Sequence, residues 1–127
     1  MNLNQIGQIA VHADDLGRAV AFYRDTLGLR FLFQAPPGLA FFDVGGVRLM
    51  LDAVQEKDTP ERISSLIYYK VADLSAAYET LLSRGVVFEH KPHLIAKMPD
   101  HDLWMAFFRD SEKNLVGLMS EVRPVRP

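Results

Sequence analysis

From Ile6 to Val11 the apolar and polar positions alternate, with Ile9 and Val11 on one face and Gln8, Ala10 and His12 on the other. That is the period-two pattern of a half-buried strand. Asp14 or Asp15 then offers a carboxylate to the free N–H groups of a first helical turn. Leu16, Ala19, Val20, Tyr23 and Leu27 follow at helical spacing until Gly28 stops them. The helical stripe has a surface to cover, the Ile9 and Val11 side of the strand. Beyond Gly28 the pattern predicts strands over 29–33, 39–44 and 47–51, separated by Pro36-Pro37-Gly38 and by the tight Gly45-Gly46 turn.

The same arrangement returns near residue 66. Leu66, Tyr68 and Lys70 alternate with Ile67, Tyr69 and Val71; Asp73 caps a helix whose stripe is Leu74, Ala77, Tyr78 and Leu81; Gly85 ends it. Setting Asp15-Leu16 on Asp73-Leu74 gives an offset of 58, which carries Ala19 onto Ala77 and brings Gly28 within one residue of Gly85. Strands are then expected over 86–90, 103–108 and 115–122, with 93–99 irregular. A period near 60 residues is an internal repeat. The expected fold is α+β: two tandem βαβββ modules forming a curved mixed sheet around a cleft, with the helices outside. One domain spans 1–127, with module one over about 4–53, a polar linker over 54–62, module two over about 63–122, and a loose Arg-Pro tail.

Composition narrows the classes. In 127 residues with 49% hydrophobic content and a formal charge of −2 there is enough apolar material for a core and no basic patch for a phosphate backbone, so nucleic acid is not an expected partner. The chain has no cysteine, which removes disulfides, thiolate nucleophiles and thiolate metal sites together. Neither a leader-like N-terminus nor an apolar run of about 20 residues is present, so no membrane partner is expected and a cytoplasmic location follows by default.

The pairing of DL-R-x-x-x-F-Y-R-D-x-L-G-L (Asp15 to Leu29) with a closing FFRDSEKNLVGLMSE (Phe107 to Glu121) resembles the vicinal oxygen chelate superfamily, which includes glyoxalase I, bleomycin resistance proteins and extradiol dioxygenases. The likeness covers nearly the whole chain and implies a fold more than a reaction. For the metal-dependent members it implies ligands mid first strand, in the last strand of module one, in the first strand of module two and in the last strand of module two. Here these positions fall on Gln8, among Arg48, Leu49 and Met50, on Leu66, and on Gly117 or a neighbour. At best one of the four is a ligand type for a divalent ion, so neither metal nor other cofactor is expected. His90, His93 and His101 are the remaining imidazoles that a displaced site would need, and nothing in their spacing puts them on one face.

The expected function is binding of a small molecule in the cleft. Candidate contacts are Gln8 and Tyr68 on the first strands of the two modules, His93 and Trp104 in the least repeat-like stretch, and Arg48 if it faces inward. Each has a plainer role: Gln8 bonded to backbone, Tyr68 and Trp104 as core, His93 holding its loop, and Arg48 paired with Asp43 or Asp52. No residue is assigned a catalytic role. The alternative is a lyase, isomerase or dioxygenase-type enzyme of the same superfamily using His93 or His12 as a base, or a displaced metal site, although His12 reads as a surface or cap-adjacent residue. Resemblance and free sheet edges together imply a homodimer. One turn carries its own test: Lys113 stands where relatives often have glycine, so Lys113 or Asn114 is expected to take positive φ.

Overall fold

The computed structural model describes residue 1, residues 4–54 and residues 66–123. The predicted linker beyond Val54 and the tail beyond Arg123 lie outside the described residues. The chain divides into two compact units, Met1–Ser65 and Leu66–Pro127.

Unit one runs β1 (Gln8–His12), α1 (Leu16–Ala21), a π-helical turn (Phe22–Thr26), β2 (Arg30–Ala35), β3 (Leu39–Val44) and β4 (Val47–Asp52). Its four strands form one mixed sheet in the order β1-β4-β3-β2, β1 and β4 being parallel. Val11, Ala40, Phe42, Leu49 and Leu51 are buried on one face together with Ala19, Val20 and Tyr23. The expected single helix therefore changes pitch after Ala21. Leu27 N–H donates to the Phe22 carbonyl and Leu29 N–H to the Tyr23 carbonyl, both at 2.9 Å. The cause is a residue count: Gly28 follows its cap Asp15 by thirteen residues, whereas Gly85 follows Asp73 by twelve. A π-helical turn takes up one extra residue while keeping the buried face in register.

Unit two repeats the plan with β5 (Ile67–Lys70), α2 (Leu74–Ser83), β6 (His93–Lys97), β7 (Asp102–Arg109) and β8 (Leu115–Val122), in the order β5-β8-β7-β6. The two helix caps are near copies. Asp15 (φ −128°, ψ 107°) accepts from Arg18 N–H and Asp73 (φ −128°, ψ 100°) from Ala76 N–H, each at 3.0 Å.

Between helix and sheet edge the reading of the second unit needs correcting. Residues 86–90 are not a strand: Phe88 makes an isolated bridge to Phe108, and Glu89 N–H donates to the Phe107 carbonyl at 2.8 Å. His93–Lys97, expected to be irregular, is the strand that pairs with β7. The ladder is interrupted because Pro92 has no N–H to give it and the Lys91 carbonyl turns to two histidine side chains. The DSEKN turn is as expected, with Lys113 at φ 71°. Buried Asp110 holds it by accepting from Glu112 N–H, Asn114 N–H and Asn114 Nδ2 at 2.8, 2.8 and 2.9 Å.

Candidate functional site

In unit two the register sets which side chains share a face. Tyr68 pairs with Gly117, Gly117 with Phe107, and Met105 with both His93 and Met119. Tyr68, Phe107, Met105, Met119 and His93 therefore stand on the face opposite α2, while Tyr69, Ala106, Phe108, Val116 and Leu118 turn toward the helix. Tyr68 and Lys70 are exposed, as the alternation in that strand predicts. Burial, followed by the charge of Asp110, pushes the Tyr69 hydroxyl up to about 12.

The open face carries a continuous row of rings. Tyr68 meets Phe107 edge-on at 5.9 Å between centroids, Phe107 meets His90 at 5.8 Å, and His90 meets His93 at 4.4 Å. The two histidines are thus brought together by the break at Pro92, against the expectation that nothing would align them. Both Nδ1 atoms lie near the Lys91 carbonyl oxygen, at 3.2 and 3.3 Å. A carbonyl only accepts, so in both contacts the Nδ1–H is the donor. His101 is elsewhere, bonded through Nδ1 to Asp100 at 2.7 Å, and that bond holds the Asp100 carboxyl below the ordinary range. Glu121 is likewise held low, first by Lys70 at 3.4 Å and then by Arg123 at 3.2 Å.

Unit one has an open face of its own. Gln8 and Arg48 are ladder partners, as are Ala10 and Met50, and Met50 pairs in turn with Phe41. The Gln8 amide N–H donates to the Met50 sulfur at 3.7 Å, a side-chain partner where a backbone one was the plainer expectation. Arg48 enters no ion pair with Asp43 or Asp52; its guanidinium lies 5.4 Å from the Phe41 centroid and 6.0 Å from that of Phe33. The Asp52 carboxylate instead accepts from Val54 N–H at 2.9 Å. His12 is cap-adjacent but not on the surface. It is buried at the end of β1, with Nε2 2.9 Å from Asp14.

Trp104 stands on the other face of the sheet. It pairs with Ser120 and Leu94, and since its neighbour Met105 shares the face of His93, Trp104 points to the α2 side. Tyr68 and His93 are brought together; Trp104 is not with them. It lines a separate cavity of about 700 Å³ with Leu74, Tyr78, Lys91, Pro92 and Ser120. Phe107, which was not singled out from the sequence, and His90, which was weighed only for a displaced metal site, complete the open row. Phe107 was legible, since it shares the parity of Gly117 on neighbouring strands; His90 was not, because its approach depends on the interrupted edge.

A profile of the Glyoxalase/Bleomycin resistance protein/Dioxygenase superfamily matches residues 5–118. The chain belongs to that superfamily. It is 32% identical over 126 residues to YraH, an uncharacterized protein of Bacillus subtilis (strain 168), covering 87% of this chain and 94% of that one. Among solved structures it resembles a lactoylglutathione lyase from Agrobacterium tumefaciens, with a TM-score of 0.73, 23% identity and 94% and 96% of the two chains covered. It also resembles TnmS3, an antibiotic binding protein from a Streptomyces species, with a TM-score of 0.74, 23% identity and coverage of 95% and 98%. Both likenesses are of fold.

The side chains at the superfamily's ligand positions do not fit a divalent cation. In unit one, Gln8 shares its face with a guanidinium and a thioether, while Leu49 is buried on the other side. In unit two the positions hold Leu66 and Gly117, and a Cβ built on Gly117 would lie 2.7 Å from Tyr68 Cδ2 and 3.2 Å from Phe107 Cε1. The space a coordinating side chain would need is filled by rings. Among the described residues no group of three or more His, Asp or Glu is placed to hold an ion. Among the described residues no helix is long and apolar enough to cross a membrane.

Proposed function

We propose that this superfamily member binds a small molecule on its open sheet faces without a metal ion, by shape, ring contact and hydrogen bonding. The observation that carries the reading is the Tyr68 ring seated over Gly117, at the place where relatives are expected to present a metal ligand. Tyr68, Phe107, His90 and His93 supply a ring-lined surface with two exposed imidazoles, and Lys70 offers a cation at its edge. On unit one, Arg48 supplies a cation held over rings and Gln8 an amide, which suits an acidic group on a ligand. The fold shared with TnmS3, described as an antibiotic binding protein, is consistent with sequestration as the biological use.

Two measurements test the proposal. Elemental analysis of protein purified without chelator should find no stoichiometric divalent ion. A backbone-amide NMR titration with a panel of small aromatic acids should shift resonances around Tyr68 and Phe107, and Tyr68→Ala should abolish that response. One equivalent of tightly held zinc, nickel or iron would end the metal-free reading; shifts unchanged by Tyr68→Ala would end the assignment of the face.

The enzymatic alternative is favoured by one observation, the exposed His90–His93 pair with ring centroids 4.4 Å apart. In that reading His93 acts as general base in a lyase or isomerase reaction. His12, buried against Asp14, is no longer its candidate. Loss of turnover in His93→Gln, with substrate binding retained, would favour this reading over simple binding.

A further inference from the structure

The cavity on the α2 side of the second sheet is not part of the open face, and nothing above gives it a role. Its volume of about 700 Å³ lies within the range of small-molecule sites. It lies where β8 runs on to Val122 past its last pair with β5, Lys70 with Met119, beside the first turn of α2. Trp104, Tyr78, Pro92 and Val122 form apolar walls, and Tyr78 is steadied by Phe88 at 4.6 Å between centroids. Ser120 is 1% exposed and lines the cavity; its hydroxyl donates to the Ala72 carbonyl at 3.4 Å, and no described donor reaches its acceptor side.

The charges decide the kind of ligand. Asp73 lines the cavity, but its carboxylate already caps α2 through Ala76 N–H at 3.0 Å. Lys91 and Glu79 also line it, and neither enters an ion pair with any described residue. A ring-walled pocket with one uncommitted cation and one uncommitted anion complements a molecule that carries both signs on an aromatic body. We propose that this cavity is a second binding site, for an aromatic zwitterion of the amino-acid type. The ring lies against Trp104 and Tyr78, the carboxylate meets Lys91 and the ammonium meets Glu79. The site stands independently of the open-face reading.

Trp104 is the single tryptophan of the chain, so its emission reports on this cavity alone. The whole protein is titrated with L-phenylalanine, phenylacetate and phenethylamine, which share a ring and differ in charge. Phenylalanine should give a saturable change with a Kd on the order of 1 mM, as expected for a ligand of its size. The two singly charged probes should bind about tenfold more weakly, the loss of one charge-assisted contact. Lys91→Ala should make phenylalanine no better than phenethylamine, and Glu79→Gln should make it no better than phenylacetate. Tyr68→Ala should leave the titration unaltered. No saturable change with phenylalanine to about ten times that concentration, phenylalanine binding as tightly to either charge variant as to the native protein, or loss of the response in Tyr68→Ala would overturn the proposal. The last result alone would move the ligand to the open face.

Discussion

Gly117→Ala isolates the contact on which the metal-free reading depends. In a strand interior, alanine is intrinsically preferred to glycine by about 0.5–1 kcal/mol, and Gly117 is not among the positive-φ glycines, so its backbone accepts a side chain. Against that gain, the new Cβ would lie 2.7 and 3.1 Å from two carbons of the Tyr68 ring and 3.2 Å from Phe107. Forcing a ring out of a packed position costs about 1–3 kcal/mol. The net expectation is a loss of about 1–2 kcal/mol in the native background, read as a lower midpoint in guanidinium unfolding followed by circular dichroism. Tyr68→Ala removes the two closest atoms. In that background Gly117→Ala should be neutral or stabilising by up to about 1 kcal/mol, because only the Phe107 contact remains to be relieved. The cycle should thus show a coupling of about 2 kcal/mol between positions 68 and 117. Equal losses in the two backgrounds, or none in either, would refute the claim that the Tyr68 ring fills the ligand position.

Other outcomes follow from single contacts. Asp15→Ala and Asp73→Ala should each cost about 1 kcal/mol in the same unfolding assay, since each removes one side-chain acceptor from the first turn of its helix. Lys113→Gly should stabilise by about 1 kcal/mol, because lysine is held at φ 71°, where only glycine is without steric cost. Tyr69, whose hydroxyl is pushed up to about 12 from 10, should give a late step in an absorbance titration that Tyr69→Phe removes. Its folded-state value is raised, so its contribution is fully present below pH 10 and is lost as pH rises through 12; Tyr69→Phe should flatten stability over that window.

Much of this fold was legible in the chain itself, because the information is local. Alternation in Gln8–His12 and in the strand beginning at Ile67, carboxylates at Asp15 and Asp73, and glycines at 28 and 85 each act over a few residues, and their recurrence at one spacing declares two βαβββ modules. Even the one-residue mismatch between the modules was visible, although only the folded helix shows a π-helical turn absorbing it. The same local rules placed Tyr68 on the open face and foresaw positive φ at Lys113.

Partners across strands were another matter. Whether Arg48 meets a carboxylate or two rings, whether His90 and His93 converge, and which side of its strand Trp104 takes all depend on ladder register and on a break at Pro92. A shift of one residue in pairing reverses every side chain, and no residue-by-residue pattern encodes it. Composition and spacing therefore determine the modules, and the family resemblance added to them locates the metal positions that are poor in ligand types here. Tertiary packing alone decides that a tyrosine ring occupies the space above Gly117, because that contact joins residues nearly fifty apart in the chain through neighbouring strands of one sheet.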